Sequence, residues 1–152
     1  MPFLTEIVSN TVLVAAFFGW LTAQVIKTIL YVIVNKEFNV ERLTGDGGMP
    51  SSHSSTVMAT LIATGMTYGV AGFQFAIAFV VAVIVMHDAM GVRRETGKQA
   101  IVINDMMELF QEMGKMTVEE SLKEFVGHTP LQVLMGAILG SGIGFAVCTF
   151  LF

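Results

Sequence analysis

Two histidines at the start of apolar segments are the residues best suited to chemistry. His53 follows Ser51 and Ser52 at the head of one apolar run, and His128 stands at the head of another. Gln132 lies one helical turn after His128, so its amide can orient the imidazole and fix its tautomer. Two imidazoles at the starts of two membrane helices, on the same side of the membrane, are suited to proton transfer and to attack on a phosphate.

The same residues also have a structural interpretation. Thr129, Pro130 and Gln132 fit a capping box with proline at the first helical position. Ser51 or Ser52 can likewise cap the helix that follows. Capping and phosphate binding are compatible, because the free N–H groups at a helix N-terminus favour an anion.

Three basic residues are candidates for holding a phosphate. Lys27 lies about two turns inside the charged end of the first apolar segment, where it either faces the bundle interior or snorkels to the interface. Arg93 and Arg94 can make bidentate contacts to phosphate oxygens, or can simply anchor the third segment at the membrane surface. Lys27 belongs to a stripe at helical spacing that also contains Trp20, Gln24 and Tyr31.

Metal binding is the less favoured alternative. Asp46, Asp88 and Asp105 could ligate magnesium, but their spacing is not diagnostic of any metal site. Asp88 could instead pair with one of the arginines. His87 is either a third titratable group or an interfacial histidine. We therefore expect no metal or other cofactor.

The composition indicates that the elements positioning these residues are membrane helices. Of 152 residues, 54% are hydrophobic and 13% are charged, and the mean hydropathy is +0.72. Such a chain is far more apolar than a soluble domain. We predict one all-α domain over 1–152, an integral membrane bundle of about four transmembrane helices at about 12–34, 53–70, 73–90 and 131–152.

The charged residues predict a topology. All eight Lys and Arg residues lie within or beside segments 35–52 and 91–130, which four spans bring to one side. The positive-inside rule makes that side cytoplasmic, in the cell membrane. The net charge of −4 and the lack of a basic stripe argue against nucleic-acid binding.

A cytoplasmic helical segment is expected over about 92–127, lying on the membrane or covering the bundle. Its first helix would have one apolar side, formed by Val102, Met106, Leu109, Phe110 and Met113. A second helix would begin at the capping-box pattern of Thr117 and end near Gly127. Glycines recur at four-residue intervals in the last span, which favours close helix packing within the chain or across a homodimer: Gly136, Gly140 and Gly144.

Taken together, these motifs resemble those of the type-2 phosphatidic acid phosphatase superfamily, which includes lipid phosphatases and vanadium haloperoxidases. Residues 50–53, Pro-Ser-Ser-His, are similar to its Pro-Ser-Gly-His motif. Residues 127–136 look like its last motif, a histidine followed four residues later by Asp or Gln and then by a glycine. Lys27 corresponds to the lysine of its first motif. Nearly the whole chain looks like a small divergent branch of that superfamily.

The resemblance implies a metal-free mechanism. His128 would attack phosphorus to give a phosphohistidine, and Gln132 would orient it. His53 would protonate the leaving oxygen and later activate water. Vanadate, which mimics phosphate, would inhibit. The phosphate would be held by backbone amides and by three side chains: Lys27, Ser51 and Ser52.

The chain departs from the superfamily pattern at two arginines. Val34 stands where the first motif has an arginine, and Leu122 follows Ser121 where the pattern has a Ser-Arg pair. These arginines would neutralise charge in the transition state. Arg93 and Arg94 could supply that charge from a different position.

Two functions are compatible with these features. The first is a membrane phosphohydrolase acting on a lipid phosphate, such as phosphatidic acid, phosphatidylglycerophosphate or an isoprenoid phosphate. The alternative is a non-catalytic membrane protein that binds or moves phosphorylated lipids or anions. The chain is shorter than the usual six-span members of the superfamily, so a second copy could complete the bundle as a homodimer.

Overall fold

The computed structural model describes residues 2–37, 47–114, 121–122 and 127–152. All regular secondary structure within these residues is helical, which confirms the all-α prediction. The helices in chain order are α1 Pro2–Val8, α2 Thr11–Asn35, α3 Ser52–Tyr68, α4 Phe73–Met90, α5 Val92–Glu112 and α6 Pro130–Phe150.

The structure supports a membrane bundle of about four spans. Three helical stretches of the described chain are long and apolar enough to cross a bilayer: Thr11–Asn35, Phe73–Glu112 and Pro130–Phe150. The fourth element is α3, which has 17 residues and packs against α2, α4 and α6. The bounds of α2, α3, α4 and α6 agree with the four predicted spans to within two residues.

The central helix α3 is rich in hydroxyl side chains, which are accommodated by internal hydrogen bonds. Thr56, Thr60 and Thr64 each donate to the carbonyl oxygen four residues earlier, over 2.7–2.9 Å. Each hydroxyl is thereby satisfied within its own helix. Because three other helices surround α3, this polar composition is kept away from lipid.

The glycine stripe of α6 packs directly on α3, as the spacing predicts. A Cβ atom on Gly144 would lie 2.7 Å from the Ala59 carbonyl oxygen, and one on Gly140 would overlap the Ser55 carbonyl. The contacts advance by four residues in both helices, so α3 and α6 run parallel and begin at the same end of the bundle. The partner of the stripe is therefore α3 of the same chain.

The surface helix α5 corresponds to the first of the two helices predicted after the third span. It ends at Glu112, and its apolar side chains are largely exposed. The second predicted helix falls mostly on residues 115–120 and 123–126, outside the described residues, whereas Ser121 and Leu122 are described and are not helical. The Asn104 side chain bonds both the N–H and the carbonyl of Leu122, each at 2.9 Å, which holds the returning chain against α5.

Candidate functional site

The site is built where α3 and α6 begin side by side. Ser51 caps α3, because its hydroxyl accepts the Ser54 N–H at 3.3 Å. Thr129 caps α6 by accepting the Gln132 N–H at 3.3 Å. The Ser51 N–H also donates to the Gln132 carbonyl at 3.0 Å and joins the two helix starts. Two helix N-termini, each carrying a partial positive charge, therefore point to the same end of the bundle.

His128 is fixed by the elements on either side of it. Its backbone N–H donates to the Ala89 carbonyl at the end of α4, at 2.9 Å. Gly127 has φ +95°, and a Cβ atom there would overlap the backbone of Arg93 and Arg94 at the start of α5. The His128 residue is only 2% exposed. These contacts hold the imidazole in one place at the bundle mouth.

Hydrogen bonds to Gln132 determine which nitrogen of His128 carries the lone pair. Gln132 Oε1 accepts the Thr129 N–H at 2.9 Å and lies 3.3 Å from His128 Nδ1. Since this atom accepts a backbone N–H, it is the amide oxygen, and Nδ1 must be the donor. The lone pair of the neutral ring is then on Nε2. Gln132 both caps α6 and orients His128, so the structural and the functional interpretation of this residue are compatible.

The second histidine lies beside the first. The ring centroids of His53 and His128 are 5.9 Å apart, with an interplanar angle of 62°. His53 is in the first turn of α3 and His128 immediately precedes α6. At this separation both rings can contact a single phosphate group.

Lys27 faces the bundle interior rather than snorkelling to the interface. It is 4% exposed, and its Nζ donates to Ser52 Oγ at 3.4 Å. The side-chain stem lies against Gly48, where a Cβ atom would be 3.3 Å from Lys27 Cγ. The structure therefore brings Lys27, Ser51 and Ser52 to the same end of the bundle as the two histidines.

The two neighbouring arginines have different positions. Arg93 Nε donates to Asp88 Oδ2 at 2.8 Å, with both side chains nearly half exposed. Arg94 instead lines a cavity of about 230 Å³ together with His128 and Gln132. Of the pair, only Arg94 is therefore placed to contact a group bound at His128.

Lys98 is a site residue that the sequence analysis missed as a candidate. It lines the same cavity as Arg94, one helical turn further along α5, and pairs with Glu95 at 2.6 Å. The four-residue spacing of Arg94 and Lys98 on one helix face was the available signal.

The position of the missing superfamily arginine lies beyond the site. Val34 is 76% exposed, and it lies about two turns past Lys27, the residue that is level with the start of α3. A side chain there extends past the helices that carry the histidines. In the described residues, the positive charge beside His128 comes from Arg94 and Lys98 of α5, in addition to Lys27 of α2.

The described residues contain no group of three or more His, Cys, Asp or Glu side chains that could hold a metal ion. Asp88 is paired with Arg93, and Asp105 is on an exposed part of α5. Asp46 lies outside the described residues. The third histidine, His87, is exposed near the end of α4.

Comparison with known proteins agrees with the resemblance found in the motifs. The chain is 34% identical over 145 residues to the uncharacterized membrane protein YuiD of Bacillus subtilis (strain 168), covering 89% of this chain and 92% of that protein. No solved structure matches the chain. A model described as the Divergent PAP2 family matches residues 8–143. The chain, an integral membrane protein with two buried or half-buried histidines at the mouth of its bundle, thus belongs to the Divergent PAP2 family.

Proposed function

We propose that this protein is a membrane phosphohydrolase that removes phosphate from a lipid phosphate through a phosphohistidine intermediate. Membership of the Divergent PAP2 family supports a phosphatase-related activity. The observation that carries the proposal is the 3.3 Å contact between His128 Nδ1 and Gln132 Oε1, which places the lone pair of the neutral ring on Nε2, the atom that would attack phosphorus.

The reaction proceeds in two displacements. His128 Nε2 attacks phosphorus, an N–P bond forms and the bond from phosphorus to the ester oxygen breaks. Protonated His53 donates its proton to that oxygen, and the lipid alcohol leaves. His53 then accepts a proton from water as the water oxygen attacks phosphorus and breaks the N–P bond. Inorganic phosphate is released, and both histidines return to their starting states.

Positive charge at the bundle mouth stabilises the transferring phosphoryl group. Lys27 is buried beside Ser52, and Arg94 and Lys98 line the cavity next to His128. Fixed donors and cations of this kind act on the charge that develops in the transition state. The scheme uses no metal ion, with magnesium kept as the alternative to be tested.

The proposed location of the site is the cytoplasmic face of the cell membrane. The argument is the concentration of Lys and Arg in the segments at this end of the bundle. The lipid bilayer would present the substrate at the level of its headgroups. We also propose a homodimer as the state to test, by measuring the mass of the protein in nanodiscs.

The test is phosphate release by purified protein from a panel of lipid phosphates, with EDTA and vanadate arms. We expect release that persists in EDTA and stops with vanadate. Loss with EDTA that magnesium restores would replace the metal-free scheme. Binding of lipid phosphates without any release would favour a protein that binds or moves phosphorylated lipids or anions.

Histidine variants separate the two proposed roles. His128→Ala should abolish turnover, whereas His53→Ala should keep slow activity on esters with a good leaving group, because such a group needs no proton. His87→Ala is the matched control, since His87 is exposed near the end of α4. Phosphate trapped on a residue other than His128 would contradict the assignment of the nucleophile.

A further inference from the structure

The second half of α5 presents an apolar face formed by five exposed side chains: Val102, Ile103, Met106, Leu109 and Phe110. We propose that this face inserts into the lipid interface beside the bundle. The helix then forms the wall between the bilayer and the cavity next to His128. Lipid contact of this kind requires no catalysis, so it is independent of the phosphohydrolase proposed above.

The apolar face and the cavity-lining residues lie on different sides of α5. At about 100° of rotation per residue, the five apolar side chains fall within an arc of about 120°. They are 40–57% exposed. The residues that line the cavity lie outside this arc: Arg94, Gly97, Lys98 and Ile101. A group of exposed apolar side chains of this kind marks an interaction surface.

The length of α2 indicates where the membrane ends on this side of the bundle. Lys27 is level with the start of α3, because its Nζ donates to Ser52, yet α2 continues to Asn35. The extension over residues 28–35 adds about 12 Å at about 1.5 Å per residue. It is mostly apolar and its most exposed side chains are Ile29, Ile33 and Val34. The first charged residue after it is Lys36, so the membrane surface lies about two turns beyond the start of α3.

The lengths of two other spans agree with this boundary. Helix α3 has 17 residues and α4 has 18, whereas α2 has 25. At about 1.5 Å per residue, α3 and α4 are shorter than a hydrocarbon core of about 30 Å. The histidines at the start of α3 and of α6 therefore lie below the membrane surface.

The helix α5 occupies the layer between the histidines and the membrane surface. It follows α4 after the single residue Gly91, and among the described helices it contacts only α4. Only Ala82 and Ala89 of α4 are buried, so α4 is at the edge of the bundle. Residues 94–101 of α5 contribute to the cavity beside His128, which keeps α5 at the bundle mouth for about two turns. A helix about 10 Å across fits in this layer, with lipid beside it.

The charges of α5 indicate what drives the contact. The helix carries three basic and four acidic side chains, which gives it a net charge of −1. Anionic lipids attract clusters of basic residues, so they have little attraction for α5. Burial of the apolar face is therefore the driving force. The acidic residues of the second half lie outside the apolar face and can remain in water: Asp105, Glu108 and Glu112.

Spin labels on single cysteines test this contact in nanodiscs of neutral phosphatidylcholine. Cys148, the one cysteine of the chain, is first replaced by alanine. Labels on Met106→Cys and Phe110→Cys should collide with lipid-soluble oxygen and report a depth of about 5–10 Å into the boundary between headgroups and acyl chains. Labels on Asp105→Cys and Glu108→Cys should collide with a water-soluble nickel chelate, and they are the matched controls from the same turns of α5.

Equal access of the nickel chelate to Met106→Cys and Asp105→Cys would overturn the lipid contact, because the apolar face would then be open to water. Exclusion of both reagents at Met106→Cys would overturn it in favour of protein on this face, such as a second copy of the chain. Nanodiscs with equal parts phosphatidylcholine and phosphatidylglycerol should give the same depths, and insertion that needs the anionic lipid would contradict apolar burial as the driving force.

Circular dichroism of each labelled variant separates a lost contact from a lost fold. The labelled positions are exposed, so each variant should keep the helical signal of the wild-type protein. None of these measurements uses a substrate. Failure to release phosphate would therefore count against the phosphohydrolase alone, whereas a water-exposed apolar face would count against the lipid contact alone.

Discussion

Replacing Gly140 by alanine should weaken the bundle, whereas the same change at Gly142 should not. Both residues are on α6, two positions apart. A Cβ atom on Gly140 would lie 2.7 Å from both Cα and the carbonyl carbon of Ser55 and would overlap its carbonyl oxygen. A Cβ atom on Gly142 would meet nothing within 4 Å. The pair therefore isolates the contact between α6 and α3.

The expected difference follows from two opposing effects. Alanine favours a helix over glycine by about 1 kcal/mol, and this gain is common to both variants. Only Gly140→Ala adds the cost of forcing α3 and α6 apart, for which overpacking costs about 1–3 kcal/mol. The free energies of unfolding should therefore differ by about 1–3 kcal/mol. For a chain of this length, the Tm of Gly140→Ala should therefore be about 2–12 °C below the Tm of Gly142→Ala.

The assay is thermal unfolding of both variants in one detergent, followed by loss of helical circular dichroism. Gly142→Ala should unfold at or above the wild-type temperature. Equal unfolding temperatures for the two variants would refute the close packing of α6 on Ser55.

Three further predictions concern the site. Gln132→Leu should reduce turnover by about 10-fold or more, because it removes the acceptor that orients His128, whereas Gln132→Glu keeps that acceptor and should retain most activity; equal loss in phosphate-release assays would contradict the orienting role. Lys27→Met should weaken vanadate binding about 10- to 150-fold, because it removes a buried cation beside Ser52, and unchanged binding by the folded variant would indicate a structural lysine instead. Arg94→Gln should weaken vanadate binding at least tenfold, the equivalent of roughly 1.5–3 kcal/mol, with partial rescue by lysine, while Arg93→Gln should leave it nearly unchanged; isothermal titration showing the reverse order would invalidate the placement of charge.

The bundle could be predicted because its main signals are local in sequence. The glycine spacing in α6 predicts a packing face, and Thr129 with Gln132 predicts the start of that helix. The short helix α3 was also found, because its ends coincide with Ser51 and Gly69. Its hydropathy alone does not indicate a span, because hydropathy counts the hydroxyl side chains as polar. In the structure these hydroxyls are satisfied by hydrogen bonds inside the helix.

The arrangement of the site depends on contacts between distant elements, which sequence spacing does not specify. Adjacent residues Arg93 and Arg94 have the same chemistry, and only the packing of α5 against Gly127 separates their positions. Lys98 carried no motif and was missed for the same reason. For Lys27 the sequence left two orientations open, because burial depends on where α3 begins relative to α2.

The polar composition of α3 affects how the protein enters the membrane. A helix of 17 residues with this composition partitions weakly into lipid by itself. The following helix, α4, is strongly apolar and is joined to it by only a short connection over residues 69–72. During synthesis, α3 should thus cross the bilayer together with α4 as a helical hairpin. Substitutions that make α4 less apolar should therefore leave both helices on the side of the ribosome.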